Sequence, residues 1–238
     1  MKHSTAGARI PLHPNPCYLT ASDGRTDAAF APLIGPKWHK RQDEWGNYHA
    51  FGDHSRLHIG LIPEYCELAE PIGLWHIEAR PHRHAPTVWR AAMSHHTPPE
   101  IIAALTTALA ADVDSGSDRP PYLHNTGHPD TVWHPLTEAG WRYSTSDFGA
   151  RALAPDLLAE VTHTPPRPGP ALDQAREEAW QVEVRTSDGD EAPWWAEFHN
   201  ATPAHLITSF TTALASPQPL RRMGNTLPPQ ARHLINGS

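Results

Sequence analysis

The pentapeptide Thr106-Thr107-Ala108-Leu109-Ala110 recurs unchanged as Thr211-Thr212-Ala213-Leu214-Ala215, 105 residues further along the chain. Working back from it at the same spacing, Thr97-Pro98 answers Thr202-Pro203, and Trp89 and Met93 answer Trp194 and Phe198. Trp75, Ile77 and Glu78 answer Trp180, Val182 and Glu183. Further upstream the spacing is 103: Asp27, Phe30, Pro32, Leu33 and Trp38 answer Asp130, Trp133, Pro135, Leu136 and Trp141. Trp45-Gly46 answers Phe148-Gly149, and Asp53 answers Asp156, at that same spacing. Tyr18-Leu19 answers Tyr122-Leu123. A chance likeness does not hold its spacing within two residues over so long a stretch, so the chain reads as one unit written twice. The length change between the copies is placed in one loop, Ile62 to Gly73 against the proline-rich Thr164 to Glu178, where insertions are tolerated.

Within each unit the pattern is strands followed by a helix. Trp75, Ile77 and Ala79 alternate with His76, Glu78 and Arg80, and Trp180, Val182 and Val184 alternate with Gln181, Glu183 and Arg185. Period two marks a half-buried strand. Trp89, Ala91 and Met93, then Trp194, Ala196 and Phe198, give another strand, and Leu57, Ile59 and Leu61 a third. Segments 38–41 and 48–51 flank Gly46-Asn47, a hairpin signal. Thr97-Pro98-Pro99-Glu100 reads as a capping box, with Thr97 and its counterpart Thr202 as helix N-caps. Ile101, Ile102, Leu105 and Leu109, and Leu206, Ile207, Phe210 and Leu214, then form apolar stripes. Short helical turns are expected at 27–35 and 130–140.

These elements define an α+β chain: two tandem copies of a module with a four- or five-stranded antiparallel sheet followed by an amphipathic helix, packed as a pseudo-dimer. The expected boundaries are a flexible N-terminus at 1–16, a first repeat at 17–111, a polar linker at 112–119, a second repeat at 120–216 and a weakly structured tail at 217–238.

Composition narrows the class. Pro is abundant at 26 residues, yet Pro plus Gly stays below the disordered range, so the chain reads as loop-rich and globular. The net charge is −7. Residues 1–118 and 119–238 share it evenly, and no basic arm exists to drive duplex binding through phosphate neutralisation. Two cysteines, Cys17 and Cys66, make no disulfide framework. No apolar leader and no run of about 20 apolar residues is present, so a cytoplasmic protein with no membrane partner is expected.

The chemistry-bearing residues point away from catalysis. No nucleophile-base signature is found. His82-Arg83-His84, His95-His96 and His124-x-x-x-His128 lack a recurrent acidic partner at ligand spacing, so neither a metal nor another cofactor is expected. Asp53/Asp156 and Glu78/Glu183 are read as turn and cross-strand partners. The matched tryptophans Trp38/Trp141, Trp75/Trp180 and Trp89/Trp194 are read as core. Trp195 differs, because it falls on the polar side of its strand. It, together with Trp45 at a turn, Tyr48, Arg185 and Arg90, forms the candidate nucleic-acid-binding set, since aromatics on a sheet face stack bases.

The Tyr-Leu opening, the Pro135-Leu136…Gly140-Trp141 segment, Pro155-Asp156 and the Trp194-to-Leu214 ending resemble the SPDY-type domain, an actinobacterial family of unknown function often found in tandem. The first copy keeps Asp53 but has Gly52 for the proline and Lys37 for the glycine. Sheet-then-helix written twice is also similar in topology to the Whirly single-stranded-DNA-binding fold, although its basic motif has no match here. The expectation is a non-enzymatic binding protein for single-stranded nucleic acid. The alternative is an acidic protein-interaction adaptor.

Overall fold

The computed structural model describes residues 17–19, 26–62, 75–124, 127–165, 178–185 and 194–217. The segments expected at 1–16 and beyond 217, Cys66, and most of the variable-length loop lie outside the described residues.

Among the described residues, ten antiparallel strands form one sheet. They are β1 (Trp38–Gln42), β2 (Tyr48–Gly52), β3 (Leu57–Leu61), β4 (Trp75–Ala79), β5 (Trp89–Met93), β6 (Arg142–Ser146), β7 (Gly149–Leu153), β8 (Ala159–His163), β9 (Glu178–Val184) and β10 (Trp194–His199). Their order is β1-β2-β3-β4-β5-β10-β9-β8-β7-β6. Two five-stranded meanders thus join edge to edge. This corrects the expectation of two separate sheets packed as a pseudo-dimer. The last strand of each meander would otherwise expose a row of unpaired backbone groups. Here β5 and β10 pair instead, with Ala91, Ala92 and Met93 opposite Phe198, Glu197 and Ala196. Ala92 and Glu197 are counterparts at the 105-residue spacing and face each other, so they mark the centre of the sheet.

The alternation read from the sequence sets one buried face. Along it lie Trp38, Ala50, Leu57, Ile59, Trp75, Ile77, Trp89, Ala91 and Met93, and from the other half Ala152, Ala159, Val161, Trp180, Val182, Val184, Trp194, Ala196 and Phe198. The helices α1 (Asp27–Phe30), α2 (Pro99–Asp114), α3 (His134–Glu138) and α4 (Ala204–Leu214) pack on this face. Phe30 lies 5.3 Å from Trp75, Trp133 lies 5.1 Å from Trp180, and Phe210 meets Phe198 edge-on at 5.1 Å. The stripes Ile101, Ile102, Leu105 and Leu109, and Leu206, Ile207, Phe210 and Leu214, are fully buried. α2 and α4 also touch each other, and His205 Nε2 meets Asp112 Oδ2 at 2.8 Å. Helix α2 runs to Asp114, into the segment expected to be linker.

The repeated pentapeptide has a structural task. The buried hydroxyl of Thr106 donates to Ala29 O at 2.8 Å, and that of Thr211 donates to Val132 O at 3.1 Å. Each long helix is thereby pinned to the short helical segment preceding its own sheet half. The capping expectation is corrected. The N-caps are Pro98 and Pro203, neither with a side-chain cap. Thr97 and Thr202 sit one residue earlier and are buried, and Thr97 Oγ1 donates to Trp195 O at 3.2 Å. Pro at position 98 cannot donate, and its extended ψ of 125° carries the chain into the helix without help from Thr97.

A second length change also emerges. Gln42 pairs with Tyr48, whereas Thr145 pairs with Ala150, so the second hairpin is one residue shorter. Ala50 is therefore matched by Ala152 and Ile59 by Val161, at a spacing of 102. Gly52 lets the first hairpin close, because a Cβ there would meet the Trp38 ring at 2.5 Å.

Candidate binding face

The strand residues of opposite parity point away from the helix layer, and the two halves differ there. Across β1 to β5 this face carries His39, Arg41, His49, Phe51, His58, Gly60, His76, Glu78, Arg90 and Ala92. The counterparts across β6 to β10 are Arg142, Ser144, Arg151, Leu153, Glu160, Thr162, Gln181, Glu183, Trp195 and Glu197. Packing residues are shared between the halves; of the outward ones only Glu78/Glu183 keeps its type. Each side carries two arginines, but four histidines and a phenylalanine concentrate on one.

Two of those histidines, His49 and His58, form a stack with Phe51 and Arg41. The rings of Phe51 and His58, direct cross-strand partners, lie 4.8 Å apart and 7° from parallel. Direct neighbours on a sheet face come close enough for such contact. The Arg41 guanidinium also lies over Phe51, 5.1 Å from the ring centre, a cation–π contact. His49 stacks on His58 at 5.2 Å, and its Nδ1 is 3.0 Å from His58 Nε2. Gly60 lies beside both rings, and a Cβ there would be in ordinary contact with His58 at 3.5 Å and His49 at 3.7 Å.

A carboxylate anchors this group. Asp43 accepts from the amides of Trp45 (3.0 Å) and Asn47 (2.9 Å), and lies 3.3 Å from His49 Nε2. Partial desolvation pushes its pKa up, but the hydrogen bonds from Asn47, His49 and Trp45 outweigh that and hold it at about 2. Burial and the neighbouring His49 push His58 down to about 4, so its ring is neutral at pH 7. Burial also lowers His76. Among the described residues no group of three or more His, Cys, Asp or Glu is arranged to hold a metal ion.

The structure does not gather the five residues expected from the sequence. Trp195 is half-buried on the outward face of β10. Its direct cross-strand partner is Glu183, which is paired in turn with Arg185 at 2.7 Å. Arg90 lies opposite Glu78 on β4. Trp45 stands at the β1–β2 tip, 64% exposed. Tyr48 points to the helix side, where it packs on Phe30 at 6.3 Å. Arg41, His49, Phe51 and His58 lie outside the set expected from the sequence. The signal that could have found them is Phe51 itself, an aromatic on the polar parity of its strand.

The architecture is that of a two-layer α+β protein presenting a sheet face. The chain belongs to the SPDY family, a domain of unknown function (DUF317), whose model matches residues 62–115 and 153–220, about half of the chain. No curated protein and no solved structure matches it. The Arg41–Phe51–His58–His49 stack falls outside the matched segments, so it is a feature of this chain that the family match does not carry. No described helix is long and apolar enough to cross a membrane.

Proposed function

We propose that the chain is a non-enzymatic binding module, one unit duplicated and fused into a single sheet, that takes single-stranded nucleic acid across the outward face of β1 to β3. The observation that carries this reading is the stack of Arg41 on Phe51 on His58. A base has a π-face whatever its sequence, and stacking it on an aromatic contributes about 1–3 kcal/mol. Arg41 makes no ion pair among the described residues, so its charge is available to a phosphate. The acidic whole-chain charge does not forbid this, because charges beyond a Debye length of about 8 Å are screened at physiological salt.

The test is fluorescence anisotropy with a short labelled single strand near pH 7.5, where added histidine charge does not attract polyanions indiscriminately. Phe51→Ala should weaken binding roughly five- to a hundredfold, in line with the stacking energy. Wild-type protein that shows no binding at about 100 μM strand, an affinity of only some 5.5 kcal/mol, defeats the reading. So does a Phe51→Ala variant that binds equally well.

A second reading rests on the hairpin tips. Trp45 and Phe148 are 64% and 73% exposed and occupy corresponding turns. Exposed aromatics suit a protein partner, and a Trp45→Ala/Phe148→Ala variant that loses such a partner while binding nucleic acid normally would favour the adaptor role.

A further inference from the structure

Beside Phe51, at the free edge of the sheet, lies a groove of about 560 Å³, within the roughly 300–1,000 Å³ typical of small-ligand sites. Its chemistry comes from Lys37, His39, Arg41, Phe51, His54 and Ser55. We infer that this groove is a phosphate subsite, taking the phosphomonoester of a nucleotide whose base stacks on Phe51. The inference rests on the stacking reading above and adds a specificity to it.

Three observations converge. The first is charge. The one carboxylate in the lining, Asp53, is already taken: it accepts from the Tyr122 hydroxyl and from Arg56 Nη1 at 3.1 Å. Lys37 Nζ donates to Val113 O at 2.6 Å and serves as a wall. The side chains of His39, Arg41 and His54 remain as donors, and none of these side chains makes a hydrogen bond among the described residues. The second is backbone. Asp53, His54 and Ser55 have φ of 45°, 57° and 64°, three consecutive left-handed residues without a glycine. Such a conformation costs free energy and persists only where its surroundings hold it. Tyr122, Arg56 and Lys37 O, which accepts from the Asp53 amide at 3.1 Å, do so. The amides of His54 and Ser55 find no acceptor among the described residues, and successive amides in a turn form an anion-binding concavity. The third is the contrast within the chain. At the corresponding places the other half has Gly140, Arg142, Ser144 and Leu153, and its turn carries Leu157 and Leu158. It keeps the fold and lacks the groove chemistry.

A phosphomonoester carries more negative charge than the diester links of a strand, so the groove should favour a nucleotide or a strand bearing a terminal phosphate. The experiment titrates the full chain with adenosine, adenosine monophosphate and inorganic phosphate. It then titrates one short strand with and without a terminal phosphate. The monophosphate should bind about tenfold or more tightly than the nucleoside, a difference of roughly 1.4 kcal/mol. His54→Asn, which tolerates positive φ, should remove most of that advantage, and Phe51→Ala should weaken both ligands. A thermal midpoint measured on each variant separates loss of site from loss of fold. A strand that binds equally with and without its terminal phosphate overturns the subsite and leaves the stacking reading standing. A monophosphate that binds where no strand does keeps the subsite and overturns the strand reading. Binding of inorganic phosphate as tight as that of the monophosphate overturns the role given to Phe51.

Discussion

The Tyr18 hydroxyl donates to Asp156 Oδ2 at 2.8 Å, tying the turn that precedes the first meander to the β7–β8 turn of the second. The relation is reciprocal. Tyr122, which precedes the second meander, donates to Asp53 in the first. The indole donors repeat the exchange: Trp194 Nε1 reaches Tyr18 O at 2.8 Å, and Trp89 Nε1 reaches Tyr122 O at 2.6 Å. Each half thus lends its opening turn to the other, so the β5–β10 seam is reinforced from the helix side by contacts that separating the halves would break.

Tyr18→Phe and Tyr122→Phe should each lower stability by about 1–3 kcal/mol, the usual loss when a hydrogen bond to a charged group is removed. Urea unfolding measures this, and no change in midpoint for both variants would show that the exchange is geometric only. The pair also sets an alkaline limit. Burial first, and the hydrogen-bonded aspartate second, push both phenols above their usual value of 10.0. The unfolded chain then loses protons above pH 10 that the folded chain keeps, so stability falls as pH rises through that point. The double Tyr→Phe variant should show a shallower decline there.

Leu105→Ala and Phe210→Ala should each cost about 2–5 kcal/mol, the range for emptying a packed site. Both side chains are fully buried in the layer between helices and sheet. Phe210 also meets Phe198 edge-on, so its loss should lie toward the upper end. An unchanged unfolding midpoint for either would contradict the buried stripe.

Much of this layer was legible from periodicity. The inward parity of the strands and the stripes of α2 and α4 follow from the spacing of apolar residues, since only one face of each element is covered. The joining of β5 to β10 was not legible. Edge pairing uses backbone groups, and Ala91, Ala92 and Met93 look the same whether their strand ends a sheet or continues one. The exchange was hidden for a similar reason: the likeness of Tyr18 to Tyr122 shows that both matter, not which aspartate each one meets. The candidate face was only half legible. Tryptophan on the polar parity points to Trp195, whose direct partner is Glu183, whereas Phe51, a smaller aromatic on the same parity, is the one whose neighbours are His58 and Arg41.

Thr97 and Thr202 should behave differently, although the sequence makes them equivalent. Thr97 Oγ1 donates to Trp195 O across the β5–β10 seam, so Thr97→Val should cost about 0.5–1.5 kcal/mol. Thr202 Oγ1 is buried with no hydrogen-bond partner among the described residues. Replacing an unpaired buried hydroxyl by a methyl of similar shape removes a desolvation cost, so Thr202→Val should be neutral or stabilising by about 1 kcal/mol. Equal losses in both would mean that the two hydroxyls are used alike.

The histidines set the acid limit. His58 and His96 are both pushed from the ordinary 6.5 down to about 4, His58 by burial and by His49, His96 by burial and by His95. Between pH 6.5 and 4 the unfolded chain takes up protons at these residues and the folded chain does not, so stability falls as pH drops through that window. Below about 4 the folded chain takes up the same protons, and their contribution to the slope ends. His58→Phe removes one such group and keeps a ring against Phe51. His96→Ala installs the residue found at the corresponding Ala201. Thermal midpoints recorded at several pH values should show both variants losing less stability than wild type between pH 6.5 and 4.5. Curves parallel to wild type across that range would mean that these rings do not stay neutral in the fold, and the neutral His58 ring of the proposed stack would have to be given up with them.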